Sequence, residues 1–90
     1  MSEAGGWRIE LAHPALRDLR RLDPPIRRRV VDGIQGLIAD PPTGDIKRLA
    51  GTDDEWRLRV GDWRVRFTRD EDRRVVIIKR VLPRGRAYRD

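Results

Sequence analysis

The segment Trp56-Arg57-Leu58-Arg59-Val60-Gly61-Asp62-Trp63-Arg64-Val65-Arg66-Phe67 leaves this chain little freedom in how it folds. Side chains alternate faces along a strand, so Trp56, Leu58 and Val60 share one face and Arg57 and Arg59 the other. Trp63, Val65 and Phe67 sort the same way against Arg64 and Arg66. Gly-Asp between two such runs is a two-residue hairpin signal. A tight turn pairs Val60 with Trp63, Arg59 with Arg64, Leu58 with Val65, and Arg57 with Arg66. One face then carries four guanidinium groups in two directly opposed pairs. Like charges opposite one another destabilise a sheet, so folding alone gives no reason for this arrangement. A polyanion lying across the face does.

The 90 residues make one domain, 1–90, with a single modest core. Its formal net charge of +6 is unevenly spread. From Trp56 onward there are twelve basic and five acidic residues, whereas Met1 to Glu55 holds nine basic and ten acidic ones. All the net positive charge therefore lies in the last 35 residues, which points to nucleic acid, an anionic surface or an acidic protein partner. A solubilising surface rich in arginine accounts for the number of arginines but not for their segregation. Cysteine is absent, which excludes disulfides, thiolate zinc sites and a cysteine nucleophile. No apolar run approaches a membrane span, and Met1 to Gly6 lacks the pattern of a signal peptide. A soluble, cytoplasmic protein with no membrane partner is the expectation.

Around the hairpin, hydrophobic periodicity predicts the remaining elements. Trp7 to Ala12 alternates as a first strand, broken by His13-Pro14. Ala15, Leu16, Leu19 and Leu22 stripe a short helix, with Arg17, Asp18, Arg20 and Arg21 outside. Asp23 caps a second helix opening at Pro24-Pro25. Ile26, Val30, Ile34, Leu37 and Ile38 form its inner face, Arg27, Arg28 and Arg29 lie outward, Gly33 and Gly36 weaken it, and Asp40-Pro41-Pro42 ends it. Thr43 to Glu55 reads as a loop. Val75-Val76-Ile77-Ile78 suits a central strand buried on both sides, and Pro83 ends regular pairing. The fold class is α+β: a strand, an antiparallel two-helix hairpin, then three antiparallel strands, with the helices packed on one side of the sheet.

Candidate chemistry is sparse. His13 is the only histidine, so neither a catalytic triad nor a histidine metal cluster is available, and its place at a strand–helix junction suits a loop or cap. The acidic residues lack ligand spacing, so no metal is expected, and no glycine loop of phosphate-binding type is present, so no cofactor is expected. What remains is a set of arginines, whose forks grip phosphate oxygens bidentately and keep their charge at every working pH. They are Arg57, Arg59, Arg64, Arg66, Arg84 and Arg86, accompanied by Tyr88. Tyr88 fits an aromatic plug over the sheet, a base-stacking platform, or a proton-transfer group. Trp56 and Trp63 face away from the arginines and belong first to the core.

The order of these motifs resembles the RelE/ParE toxin superfamily. The resemblance rests on Lys47-Arg48-Leu49-Ala50-Gly51, the segment from Trp56 to Val65, and Arg84 with Tyr88-Arg89, and it spans Trp7 to Arg89. It implies a toxin of a type II toxin-antitoxin system partnered by an antitoxin protein. Members of the RelE-like branch cleave mRNA in the ribosomal A site, and members of the ParE-like branch poison DNA gyrase. The RNA-cleaving branch carries basic residues where Arg57, Arg59, Arg64 and Arg84 stand and a tyrosine where Tyr88 stands. The implied activity is that of a metal-independent endoribonuclease, or mRNA interferase, with mRNA and the ribosome as partners. The alternative is a gyrase inhibitor without nuclease activity.

On the ribonuclease reading the ribose 2′-OH is the nucleophile. Arg57, Arg59 and Arg64 then bind phosphate and stabilise the transition state, Arg84 protonates or stabilises the leaving 5′-oxygen, and Tyr88 stacks on a base or accepts a proton. Lys47, Arg48, Arg66 and Arg86 contribute RNA binding. Two departures from the family pattern stand out. Pro83 occupies a place that is often basic, and two central positions are Arg where some relatives have Lys. Guanidinium does not deprotonate in proteins, so Arg57 and Arg59 stabilise charge rather than act as bases.

Overall fold

The computed structural model describes residues 6–51 and 54–85. In chain order the elements are β1 (Arg8–Leu11), α1 (His13–Arg20), α2 (Pro24–Gln35) continuing into a 3-10 turn (Gly36–Ile38), β2 (Asp45–Arg48), β3 (Glu55–Val60), β4 (Trp63–Asp70) and β5 (Val75–Pro83). They form one five-stranded sheet in the order β1-β5-β4-β3-β2. The hairpin register is the one its sequence dictates, with Arg57 opposite Arg66, Arg59 opposite Arg64 and Val60 opposite Trp63. Gly61 adopts φ +57, the left-handed conformation that the tight turn requires.

The register also sorts the two faces. Leu58, Val65, Phe67, Val76, Ile78 and Val81 meet Ala15, Leu19, Leu22, Val30, Ile34, Leu37 and Ile38 from the helical layer in one buried core. β5 lies between β1 and β4, as its continuous apolar run predicts. β1 pairs with it in parallel, Arg8 aligned with Val75. A register shift at Arg66/Phe67 leaves Lys79 without an opposite residue on β4, and so keeps Ile78 and Val81 on the core face.

Four expectations are corrected. The segment Thr43 to Glu55 is not all loop, because Asp45–Arg48 forms β2, paired antiparallel with β3. A four-residue strand with one apolar side chain, Ile46, carries almost no periodic signal. What holds it is tertiary: the Arg57 Nη1 donates to both the Asp45 backbone oxygen and its Oδ1, each at 3.1 Å. The antiparallel run therefore has four strands, not three. Asp18 is not an outward residue but is buried, at 8% exposure. It accepts the Val81 N–H at 2.9 Å and the Arg80 Nε–H at 2.8 Å. Beyond Ile78 the outer edge of β5 has no β1 residue to pair with, and Asp18 covers part of that exposed edge.

Arg27 is likewise turned inward, donating to the carbonyls of Leu19, Arg20 and Leu22. These carbonyls lie at and just beyond the end of α1, where intrahelical partners run out, so one guanidinium joins the two helices. Asp23 does occupy the N-cap position of α2, but its side chain makes no cap hydrogen bond. Gly33 and Gly36 do more than weaken α2. A Cβ at Gly33 would stand 2.9 Å from the Val60 Cγ2, and one at Gly36 would collide with the Thr43 hydroxyl. Both glycines let the helix approach the strands and the loop that follows it.

Candidate nucleic-acid interface

On the face opposite the helices, the strand registers align Lys47 with Arg57, Arg57 with Arg66, and Arg66 with Arg80. One cationic row thus crosses four strands. A second row runs beside it, from Asp45 through Arg59 to Arg64. Six cations face three carboxylates: Asp45 on Arg57, Glu55 on Arg66 and Asp18 on Arg80. The face is basic in excess, but its charges are not equivalent.

Arg57 and Arg64 are buried, at 6% and 3% exposure. The Arg64 Nη1 donates to the carbonyls of Gly61 and Trp63, at 3.1 and 3.2 Å. Arg66 grips both oxygens of Glu55, at 2.8 and 3.0 Å. Folding therefore does supply a reason for opposed arginines, which corrects the inference from like-charge repulsion alone. Carboxylates and turn carbonyls of the chain itself offset the repulsion at Arg57, Arg64 and Arg66. Arg59, by contrast, is exposed. The arrangement is a solvent-facing guanidinium beside two held in fixed positions.

The other predicted residues divide. Arg84 is exposed and follows β5; its N–H donates to the Asp62 carbonyl at 2.7 Å, which brings it to the hairpin tip where Arg59 and Arg64 stand. Lys47 is exposed on the arginine face. Arg48 is not on that face: it pairs with Trp56 in the register and its guanidinium lies 5.9 Å from the indole centroid. Arg86 and Tyr88 lie outside the described residues. His13 opens α1, in the opposite layer.

Sequence reasoning passed over Arg80, whose alignment with Arg66 depends on the β5 bulge and was not readable from spacing. Asp18 anchors it. Burial disfavours the charged form of Asp18, yet the Arg80 guanidinium and the Val81 N–H outweigh that and hold its carboxyl below the ordinary value. The same pairing raises the already high pKa of Arg80. Chemically, the face can neutralise and orient phosphates. None of its arginines can act as a general base.

A family model described as the ParE toxin of the type II toxin-antitoxin system parDE matches residues 9–88. A protein named toxin RelE1 from Methanocaldococcus jannaschii is 32% identical over 87 residues, covering 93% of this chain and 97% of its own length. The RelE–RelB complex of Pyrococcus horikoshii contains a chain of 28% identity and TM-score 0.76, with 90% of this chain and 98% of that one covered. For the RelBE2 toxin-antitoxin complex of Mycobacterium tuberculosis the values are 28% and 0.75, with 88% and 99% covered. Sequence, sheet order and the two-helix layer agree, and the chain belongs to the RelE/ParE superfamily of type II toxin-antitoxin system toxins.

Proposed function

We propose that this toxin is an mRNA endoribonuclease that acts on the ribosome and is held inactive by a cognate antitoxin. The observation that carries the reading is Arg59 exposed between buried, hydrogen-bonded neighbours on one sheet face. Cations already fixed before substrate arrives stabilise developing charge at little reorganisation cost. RNA supplies its own nucleophile. The 2′-oxygen attacks the adjacent phosphorus, the bond from phosphorus to the 5′-oxygen breaks, and the products are a 2′,3′-cyclic phosphate and a 5′-hydroxyl. Arg59 and Arg64 bear on the phosphorane, Arg57 supports them from the next pair, and Arg84 stabilises the departing oxygen. The 2′-OH proton passes to Tyr88 or to solvent, and water supplies the proton that the departing 5′-oxygen takes up. Weak base catalysis is compatible with an enzyme that relies on the ribosome to align its substrate.

The antitoxin reading draws support from the RelE relatives, which are solved in complex with RelB. It also draws on a surface of this chain. An apolar groove of about 570 Å³ lies between β1 and the helices, lined by Ile9, Leu11, Leu19, Val31 and Ile34. Leu11, at 43% exposure, is the one large hydrophobic side chain left open among the described residues. An amphipathic segment with an acidic flank suits both this groove and the basic sheet.

Inhibition of DNA gyrase is the second reading. The match to the ParE family model favours it, as does the occupation of Arg57 and Arg66 by carboxylates. A paired assay decides between them. The protein is incubated with translating ribosomes, and separately with gyrase and supercoiled DNA. Cleaved mRNA with 5′-hydroxyl ends and unaffected gyrase is the expected result; intact mRNA with inhibited gyrase overturns it.

A further inference from the structure

A cavity of about 190 Å³ lies at the tip of the hairpin, between α2 and the Gly61-Asp62 turn. Its apolar walls are Ile26, Val30, Val60 and Trp63, and its polar groups are Arg29 and Asp62. Those two residues carry opposite charges and line one small space, yet neither makes an ion pair or side-chain hydrogen bond among the described residues. Arg29 is held against the turn, its Nη2 only 3.0 Å from where a Cβ on Gly61 would stand. The missing side chain at Gly61 is what admits the guanidinium. The cavity lies on the helix side of the sheet, and the turn that walls it also holds Arg84, whose N–H donates to the Asp62 carbonyl at 2.7 Å.

We infer that this cavity binds a single guanine base of the RNA, with Trp63 as its apolar wall, Arg29 as donor and Asp62 as acceptor. The inference rests on the nucleic-acid reading above. The volume falls below the roughly 300–1,000 Å³ typical of sites for larger ligands, so it suits one ring system and leaves the sugar and phosphate outside. A phosphate is a poor occupant because Asp62 repels it. A base needs apolar walls and hydrogen-bonding groups on the rim, and both are here. Guanine presents the O6 and N7 acceptors, which arginine recognises bidentately. Its N1–H and N2–H donors lie on the neighbouring edge and suit a carboxylate. Adenine and cytosine each offer a donor where O6 must accept, and uracil lacks a second donor edge for Asp62. From a base seated here the adjoining backbone can pass over the hairpin tip, where Arg84 is held, toward the arginine face on the other side.

The test uses five-nucleotide 2′-O-methyl RNAs, which cannot be cleaved at the 2′-position. They are uridine throughout except for a central G, A, C or U. Binding to the full chain is read by fluorescence anisotropy at constant salt. The G-containing oligomer should bind about tenfold tighter than the others, in line with one good bidentate contact. Asp62→Ala should abolish that preference while raising affinity for the all-uridine oligomer, because it removes a negative charge. Arg29→Met should also abolish it. Arg59→Ala should weaken all four oligomers alike and keep the preference, as loss of a phosphate contact does. Circular dichroism of each variant guards against unfolding. Equal binding of all four by the parent protein, or a G preference that survives in both Asp62→Ala and Arg29→Met, overturns the base site and leaves the nucleic-acid reading standing. Failure of the parent to bind any oligomer counts against both.

Discussion

Arg59 and Arg64 are opposite one another in the hairpin, yet replacing them should have opposite consequences for stability. Arg64→Ala removes a side chain that is 3% exposed and donates to the Gly61 and Trp63 carbonyls. A hydrogen bond from a charged donor is worth about 1.5–3 kcal/mol. Two do not add fully here, because Gly61 belongs to an exposed turn and its carbonyl can rehydrate. Loss of the buried aliphatic stem adds to the cost, and relief of the opposed charge subtracts up to about 1 kcal/mol. A net loss of about 2 kcal/mol is expected. In a domain of this size each kcal/mol moves the melting temperature by roughly 4–8 °C, so Arg64→Ala should melt about 8–16 °C below the parent.

Arg59→Ala alters an exposed group and should stay within about 0.5 kcal/mol of the parent, or rise slightly. Thermal unfolding followed by circular dichroism on the two variants side by side measures the contrast. Equal melting temperatures would show that the turn contacts of Arg64 contribute nothing. The division of the arginine face into held and solvent-facing groups would then be wrong. mRNA cleavage should fall in both variants, so activity alone cannot replace the thermal measurement.

Asp18 is ionised more readily in the folded chain than in the unfolded one. The unfolded state therefore binds more protons through the carboxylate range, and the stability this contributes is present above the unfolded pKa and lost as pH falls through the folded one. Asp18→Asn should flatten that acid limb in denaturant titrations at stepped pH; an unchanged limb refutes the assignment. Asp18→Ala should cost about 1–3 kcal/mol by leaving the buried Val81 amide unpaired, which urea unfolding at neutral pH will show. Leu11→Asp should leave the fold intact and weaken antitoxin binding by about 2 kcal/mol or more, roughly thirtyfold in Kd; calorimetric titration giving the parent affinity rules out the groove beside β1. Gly33→Val should overpack α2 against Val60 and Leu58 and cost about 1–3 kcal/mol, visible as a lower denaturation midpoint.

The parts of the fold legible in the sequence are those where period and turn chemistry coincide. Gly61-Asp62 set the register of β3 and β4 residue for residue because a two-residue loop admits no slippage. The apolar run from Val75 to Ile78 likewise marked a strand with neighbours on both sides. What escaped depends on contacts distant in sequence. β2 exists through Arg57 reaching Asp45, and Asp18 is buried because an unpaired stretch of β5 needs an acceptor. Neither fact leaves a trace in local periodicity. The site divided the same way. Alternation placed Arg57, Arg59, Arg64 and Arg66 on one face, but spacing could not say which of them the chain's own carboxylates and carbonyls would occupy. Arg48 shows the limit most plainly: adjacent to Lys47, it faces the other way once the segment is a strand.

The parallel pairing of β1 with β5 joins the two ends of the fold, Arg8 lying beside Val75. Contacts so far apart along the chain are slow to form, because a long loop must close before they return any stabilisation. During synthesis, the first strand and both helices leave the ribosome well before the strand they are built around. The α1 clamp on Val81 and the core beneath Ile78 wait with them. β2 and β3 can pair early, but the arginine face is not rigid until β5 has inserted between β4 and β1. A toxin wired in this order has no finished arginine face until β5 is in place.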